Sequence, residues 1–204
     1  MKLAGVCAAI LAGSTVFAQQ APAPAVETTA SSGLLGQRYV EAGFGVTDVN
    51  HFGLDLYSAG VGVNLPVASS FDVGFAYAYS WLESFSDVDA HTIAASVTEF
   101  VDVGAVSGLK AFGTATLGYQ WFDNDDEETF WGVDLGVEYS LNSKVSASAS
   151  IGYVDNFHGP SDDGSWDGTV RANYWLTDSV VANVAVSLVE GGTVVYGAGA
   201  SLKF

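Results

Sequence analysis

The stretch that decides the fold is Val194–Phe204, which reads VVYGAGASLKF. Its residues alternate between an apolar or aromatic set and a small or polar set. The apolar set is Val194, Tyr196, Ala198, Ala200, Leu202 and Phe204. A period of two is that of a β-strand, whose successive side chains point to opposite faces of a sheet. If the apolar face meets lipid, every other strand must repeat the pattern and the sheet must close, because an open edge in hydrocarbon leaves backbone groups unpaired.

The same alternation recurs upstream through residues 36–204 and predicts ten strands. Short turns at 66–70, 104–108, 142–144 and 177–179 fall on one side, and five acidic loops fall on the other. The clearest strand is 71–81, with aromatic side chains on one face and small or polar ones on the other. We therefore expect an all-β protein: a closed, antiparallel, up-and-down transmembrane β-barrel of ten strands. Eight strands is the alternative, if one hairpin lies outside the membrane.

One strand breaks the pattern near its end. Glu99 falls on the apolar face and Phe100 falls on the polar face. We expect either a β-bulge near Thr98 or a position for Glu99 at the membrane rim, where a charge is tolerated.

The charge balance excludes one class of partner. The chain has 23 acidic residues and six Lys and Arg residues, for a formal charge of −17. Binding to a nucleic-acid backbone requires a basic surface, so the sequence indicates no nucleic-acid partner. Cations or basic partners fit this charge better, and the sequence predicts no cofactor.

The N-terminal region reads as an export signal followed by a linker. Lys2, an apolar run from Leu3 to Ala12 and a small-x-small pattern ending at Ala18 predict a cleaved signal peptide over residues 1–18. Residues 19–35 are rich in Pro, Ala, Ser and Thr, and we expect a disordered periplasmic linker there. The single cysteine, Cys7, lies inside the predicted signal, so the mature chain would contain no disulfide.

With the signal peptide, the glycine-rich alternating strands and the terminal Leu202-Lys203-Phe204, residues 37–204 resemble the small bacterial outer-membrane barrels grouped with outer membrane protein A and the opacity-type proteins. The resemblance implies a Gram-negative outer-membrane location and a porin-like architecture. It also implies contact with the outer-membrane assembly machinery, which would read Tyr196, Leu202 and Phe204 as its signal. Activities in that family range from structural anchoring to adhesion and narrow pores. Barrels of the outer membrane protein A type have eight strands, fewer than the ten counted here.

Aromatic side chains near the two ends of the strands predict interfacial girdles. The outer girdle would comprise Tyr77, Tyr79, Trp81, Tyr119, Trp121, Trp131, Tyr153 and Trp166. The inner girdle would comprise Phe71, Tyr139, Tyr174 and Phe204.

Seven charged side chains fall on the face that would line the lumen. They are Glu41, Asp72, Lys110, Asp134, Glu138, Arg171 and Lys203, with Asp102 added if no bulge turns it outward. Because an unpaired buried ion costs several kcal/mol, we expect a salt-bridge and hydrogen-bond network that largely fills the lumen, with the bases facing Glu138 and Glu41. The alternative is a narrow pore with a weak preference for cations, since four acids face three bases and many inward residues are small.

Three further hypotheses concern the loops. The acidic runs 123–128 and 162–164 suggest either a calcium site or solvated loops that hold divalent cations against lipopolysaccharide and outer-membrane lipid; the first run lacks the spacing of a helix-loop-helix calcium site. His51, His91 and His158 lie near the outer rim, where some outer-membrane hydrolases have their sites. No His-x-Ser pair accompanies them, so we expect no enzyme. The sequence favours a structural or surface role.

Overall fold

The computed structural model describes residues 32–49, 54–82, 85–123, 126–157 and 164–204. The predicted signal peptide, residues 19–31 of the predicted linker, His51 and His158 lie outside this part of the chain. Within it, no helix has the length and hydrophobicity needed to cross a membrane.

The described residues form ten antiparallel strands, each paired with the next, and β1 also pairs with β10 to close a barrel. The strands are β1 Tyr39–Val49, β2 Leu54–Ala68, β3 Phe71–Leu82, β4 Phe85–Asp102, β5 Leu109–Phe122, β6 Glu127–Ser140, β7 Val145–Asn156, β8 Ser165–Trp175, β9 Val180–Val189 and β10 Thr193–Lys203. The prediction of a closed ten-strand barrel is confirmed, and the eight-strand alternative is wrong.

Closure depends on the first and last strands. Glu41 of β1 lies opposite Ser201 of β10, and the ladder continues to Asp48 opposite Val194. This pairing removes the two free edges that an open sheet would expose, so every backbone group along the wall has a neighbouring strand.

The alternation in the sequence places one set of side chains inside the barrel and the other set on its outer face. In β9, Val181, Asn183 and Ser187 are buried, whereas Val184 and Leu188 are exposed. The whole wall follows this rule: buried positions include many Ser, Thr, Asn, Asp and Glu side chains, and the exposed ones include most of the large aliphatic residues. Such a distribution is the reverse of that in a water-soluble domain, where large exposed apolar patches are rare.

Of the two explanations offered for the broken pattern in β4, a bulge near Thr98 or a position for Glu99 near the end of the barrel, the structure shows the second. The ladder between β4 and β5 runs without a register shift from Ala90 to Asp102, so a bulge near Thr98 is wrong. One end of the barrel carries the connections β2–β3, β4–β5, β6–β7 and β8–β9, and we call it the turn end. Glu99 is exposed on the outer face opposite Phe71, near the turn end. Phe100 points inward and is buried, because Leu35 and Phe112 pack against it inside the lumen.

Candidate functional site

The mouth of the barrel at the turn end is occupied by residues 32–37, which we call the N-terminal insert. Leu34 and Leu35 at its tip are fully buried inside the lumen. Leu34 packs against Tyr39, Trp175 and Val181. Leu35 packs against Phe100 and Phe112. The insert therefore contacts strands on opposite sides of the barrel.

Side chains of the wall hold the insert by its backbone. Glu138 accepts the N–H of Leu34 at 3.0 Å and that of Leu35 at 3.2 Å, one on each carboxylate oxygen. Lys110 donates to the carbonyl of Leu35 at 2.9 Å. Because a carboxylate that accepts two N–H bonds makes charge-assisted contacts, Glu138 is the principal anchor of the insert.

Further bonds fix the two ends of the insert. The indole N–H of Trp175 donates to the carbonyl of Ser32 at 2.6 Å, and the Ser32 hydroxyl donates to the carbonyl of Val145 at 2.7 Å. Asn64 donates to the carbonyl of Gln37 at 3.1 Å. Gly33 allows the close approach, since a Cβ at this position would lie 2.1 Å from Oε1 of Glu138.

The insert corrects the predicted linker, because residues 32–35 belong to the packed barrel. The sequence contained a signal for it: Gly33-Leu34-Leu35-Gly36 interrupts a polar segment with two large apolar residues. Their burial depends on pockets built by distant strands, so the chain order alone did not reveal it.

Above the insert lies a buried ion pair between Arg171 and Glu41. The same Glu41 oxygen accepts the hydroxyl of Ser201 at 2.7 Å. Arg171 donates to Asn173 at 3.0 Å, and Asn173 in turn donates to Ser146 at 3.1 Å. The network satisfies several buried polar groups on β1, β7, β8 and β10.

Two acidic side chains meet halfway along the lumen. Asp134 and Asp167 flank Gly152 on adjacent strands, and a Cβ built on Gly152 would lie 2.5 Å from Oδ1 of each. Both carboxylates are buried, and Thr169 donates to Asp167 at 3.1 Å. The absence of a side chain at Gly152 thus makes room for two carboxylates side by side.

Asp167 and Glu128 are lumen residues that the sequence analysis missed. Strand β8 begins at Ser165, and β6 begins at Glu127, within the acidic run 123–128. The alternation Ser165, Asp167, Thr169 was the available signal for Asp167. Glu128 is buried and accepts a bond from Asn156 at 3.3 Å.

The remaining predicted lumen charges lie near the turn end. Asp72 is fully buried on β3. Lys203 and Asp102 are exposed at the rim, where Lys203 lies over the ring of Trp175 at 5.9 Å. Among the described residues, no three His, Cys, Asp or Glu side chains are grouped closely enough to hold a metal ion.

Comparison with known proteins rests on structure alone. No family model matches the sequence. No curated protein matches it either. The structure is similar to that of the NanC porin, with a TM-score of 0.53 and 10% identity over 81% of this chain and 100% of that one. The fold is that of a small bacterial outer-membrane β-barrel.

Two other solved structures are similar at lower scores. Neisserial surface protein A matches with a TM-score of 0.44 and 16% identity, over 82% of this chain and 97% of that one. The KdgM porin in complex with disordered oligogalacturonate matches with a TM-score of 0.45 and 12% identity, over 82% and 98% of the two chains. At such low identity the likeness concerns the fold.

The aromatic side chains of the predicted outer girdle lie on the outer face of the barrel. The ring of Trp81 stacks on Tyr57 of the neighbouring strand and on Tyr79 of its own strand, with ring centroids 5.9 and 5.4 Å apart. Trp131, Tyr153 and Trp166 form a second run on β6, β7 and β8. Phe71, Tyr139, Tyr174 and Phe204 are exposed near the turn end.

His91 lies among these aromatic residues on the outer face. Its ring stacks on Trp121 at 5.1 Å, and its Nδ1 is 2.8 Å from the hydroxyl of Tyr77. Asp123 lies 4.0 Å from Nε2. His91 thus belongs to the girdle.

Proposed function

We propose that this chain is an outer-membrane barrel with a structural or surface role and a lumen that does not conduct. The observation that carries the proposal is the N-terminal insert. It is bonded to β2, β5, β6, β7 and β8, and its two leucines fill the space between opposite walls. A pore needs an open path through the lumen, and the insert fills that path at the turn end.

Packing nearer the outer end supports the same proposal. Leu56 and Ala90 are buried there, with Leu82 and Phe122 against them. Phe130 is also buried and lies over Gly118, where a Cβ would come within 2.1 Å of its ring. Small barrels are usually filled by side chains, and these two layers of packed side chains fit that arrangement.

The proposal is tested by conductance in planar bilayers. The refolded mature protein is expected to give no discrete current steps. A triple variant, Leu34→Ser, Leu35→Ser and Glu138→Gln, removes the apolar tip and the charged anchor of the insert, and it is expected to conduct. Val106→Ser, in the exposed turn between β4 and β5, is the matched control and should stay silent.

Discrete steps from the unmodified protein would overturn this proposal. They would favour the second candidate, a narrow pore with a weak preference for cations. The observation in its favour is the pair of lumen carboxylates, Asp134 and Asp167, beside Gly152. In that case, the reversal potential in a salt gradient should indicate cations. The preference should fall in the double variant Asp134→Asn, Asp167→Asn but not in Glu99→Gln on the outer face.

Location and partners form part of the same proposal. We assign the protein to the outer membrane, reached through a cleaved signal peptide, with no enzymatic activity. The aromatic girdle and the acidic residues beside it, such as Asp89, Asp123 and Glu127, support a position in lipid and lipopolysaccharide, with divalent cations at the loops. A specific calcium site stays a hypothesis, since residues 124–125 and 158–163 lie outside the described chain.

A further inference from the structure

A groove lies on the outer face of the barrel, at the end opposite the turn end. It has a volume of about 440 Å³. Six residues line it: Ile93 of β4, Tyr119, Trp121 and Phe122 of β5, and Asp126 and Glu127 beside the start of β6. Pockets of this size hold small molecules or the polar part of a larger one. The groove therefore has room for a ligand.

The aromatic wall of the groove is held in place by neighbouring side chains. Trp121 stacks on His91 with ring centroids 5.1 Å apart and an interplanar angle of 11°. The rings of Tyr119 and Trp121 lie 5.9 Å apart, and the hydroxyl of Tyr119 donates to Glu127. These contacts restrict the rings, so a ligand meets a groove that is already formed.

The charge of this end of the barrel is strongly negative. Asp126 and Glu127 are exposed in the groove, and Asp55 and Glu190 are exposed elsewhere at the same end. All Lys and Arg residues of the described chain lie in the half of the barrel nearer the turn end: Arg38, Lys110, Lys144, Arg171 and Lys203. Complementary charge steers a partner to such a surface, so the groove favours a positively charged ligand.

The combination of aromatic rings and carboxylates distinguishes between positively charged ligands. A hard metal ion takes six or more oxygen ligands, and within the part of the chain that the structure describes no three His, Cys, Asp or Glu side chains are grouped closely enough to hold one. An ammonium group is attracted to the faces of Trp and Tyr rings and needs no fixed set of oxygen ligands. The lining therefore suits an organic ammonium group.

The groove continues into the apolar outer wall. Ile93 lies opposite Tyr119 and is exposed, and Leu117 and Val97 are exposed farther along the same two strands. Aromatic girdles lie at the level of lipid headgroups. An occupant with an ammonium group in the groove would have apolar surface directly beside it, which favours a lipid over a free amine.

We propose that the groove binds a membrane lipid whose headgroup ends in an ammonium group of the ethanolamine type. The ammonium group lies between the aromatic rings and the carboxylates, and the acyl chains follow the outer wall of β4 and β5. This site rests on the membrane position proposed above and does not depend on whether the lumen conducts.

The test is native mass spectrometry of the refolded mature protein released from detergent. Phosphatidylethanolamine is compared with phosphatidylglycerol of the same acyl chains, with and without a chelator of divalent cations. The unmodified protein is expected to retain one phosphatidylethanolamine several-fold more strongly than phosphatidylglycerol, and the chelator should not change this.

Two variants remove the proposed contacts. The preference should disappear in the double variant Asp126→Asn, Glu127→Gln, and it should fall in Trp121→Leu. The matched control is the double variant Asp55→Asn, Glu190→Gln, which removes the same number of charges from the same end and should keep the preference.

Four outcomes would overturn the proposal. The first is equal retention of the two lipids by the unmodified protein, which decides the question even if a variant fails to fold. The second is an equal loss in the two double variants, which would assign the preference to the overall charge of this end. The third is loss of the bound lipid on chelation, which would make a divalent cation the ligand. The fourth is displacement of the lipid by ethanolamine at equal concentration, which would make a soluble amine the ligand.

None of these outcomes contradicts the membrane position itself. That position fails on a different observation, which is a mature protein that stays folded and monomeric without detergent.

Discussion

At the scale of single residues, the pair of Arg171 and Glu41 shows how the lumen accommodates charge. Each side chain is about 4% exposed, and each makes further bonds to neutral polar residues. Replacing one partner of such a pair leaves the other charge buried and uncompensated. The free-energy cost of that unpaired charge is larger than the net stabilisation that the intact pair provides. The pair therefore acts as a unit that joins β1 to β8 across the lumen.

We predict that Arg171→Met destabilises the barrel by about 3–5 kcal/mol, because Glu41 loses its countercharge. Urea unfolding of the refolded protein in lipid measures the change. Lys144→Met, in an exposed turn, is the control and should stay within about 0.5 kcal/mol of the unmodified protein. The double variant Glu41→Gln, Arg171→Met should recover part of the loss. Equal effects of Arg171→Met and Lys144→Met would show that the pair is solvated.

At the scale of elements, inward phenylalanines are matched by glycines on the next strand. Phe112 of β5 lies directly opposite Gly136 of β6, and Phe130 of β6 lies opposite Gly118 of β5. In each case a Cβ on the glycine would enter the aromatic ring. The β5–β6 ladder thus combines large and small residues so that a narrow lumen can hold whole rings.

Gly136→Ala is expected to destabilise the barrel by about 1–3 kcal/mol through overpacking. The new Cβ would lie 2.4 Å from the ring of Phe112 and 2.6 Å from the carbonyl oxygen of Ala149, and the backbone oxygen cannot rotate away. Gly104→Ala, where nothing lies within 4 Å, is the matched control. Urea unfolding measures the free energy of unfolding of both variants. If Gly136→Ala loses no more stability than Gly104→Ala, the strands can shift to admit a methyl group.

At the scale of the whole molecule, the barrel is organised by closure between β1 and β10. The outer residues of β10 stay accessible: Tyr196, Leu202 and Phe204 are all more than half exposed on the lipid-facing side. Arg38 lies over the ring of Phe204 at 5.9 Å, next to the seam. The predicted assembly signal is thus on the surface of the strand that closes the barrel.

If Phe204 is read by the assembly machinery, Phe204→Ala should lower the amount of folded protein in the outer membrane of a Gram-negative host several-fold. The purified variant should still refold in detergent, because Phe204 lies outside the packed lumen. Leu141→Ala, an exposed apolar position at the same end of the barrel, is the control. Equal membrane levels of the two variants would contradict the assignment.

The sequence by itself determined the alternation of inward and outward side chains along the strands, and it predicted a closed barrel in which ten strands were favoured over eight. These properties follow from the period of two, which the local covalent geometry of an extended chain imposes on successive side chains. Small errors in the predicted strand ends do not change this alternation. Asp167 illustrates this: it was not among the predicted lumen residues, but the alternation from Ser165 through Asp167 to Thr169 places it on the inner face.

Only the tertiary structure decided what each inward side chain meets. Three features depend on the stagger between strands and on the width of the lumen: which of the two predicted acids pairs with Arg171, the meeting of Asp134 with Asp167, and the burial of Leu34 and Leu35. The stagger and the width are properties of the closed ring as a whole. A linear pattern places a residue inside, but only closure brings strands that are far apart in the chain to opposite sides of one narrow space.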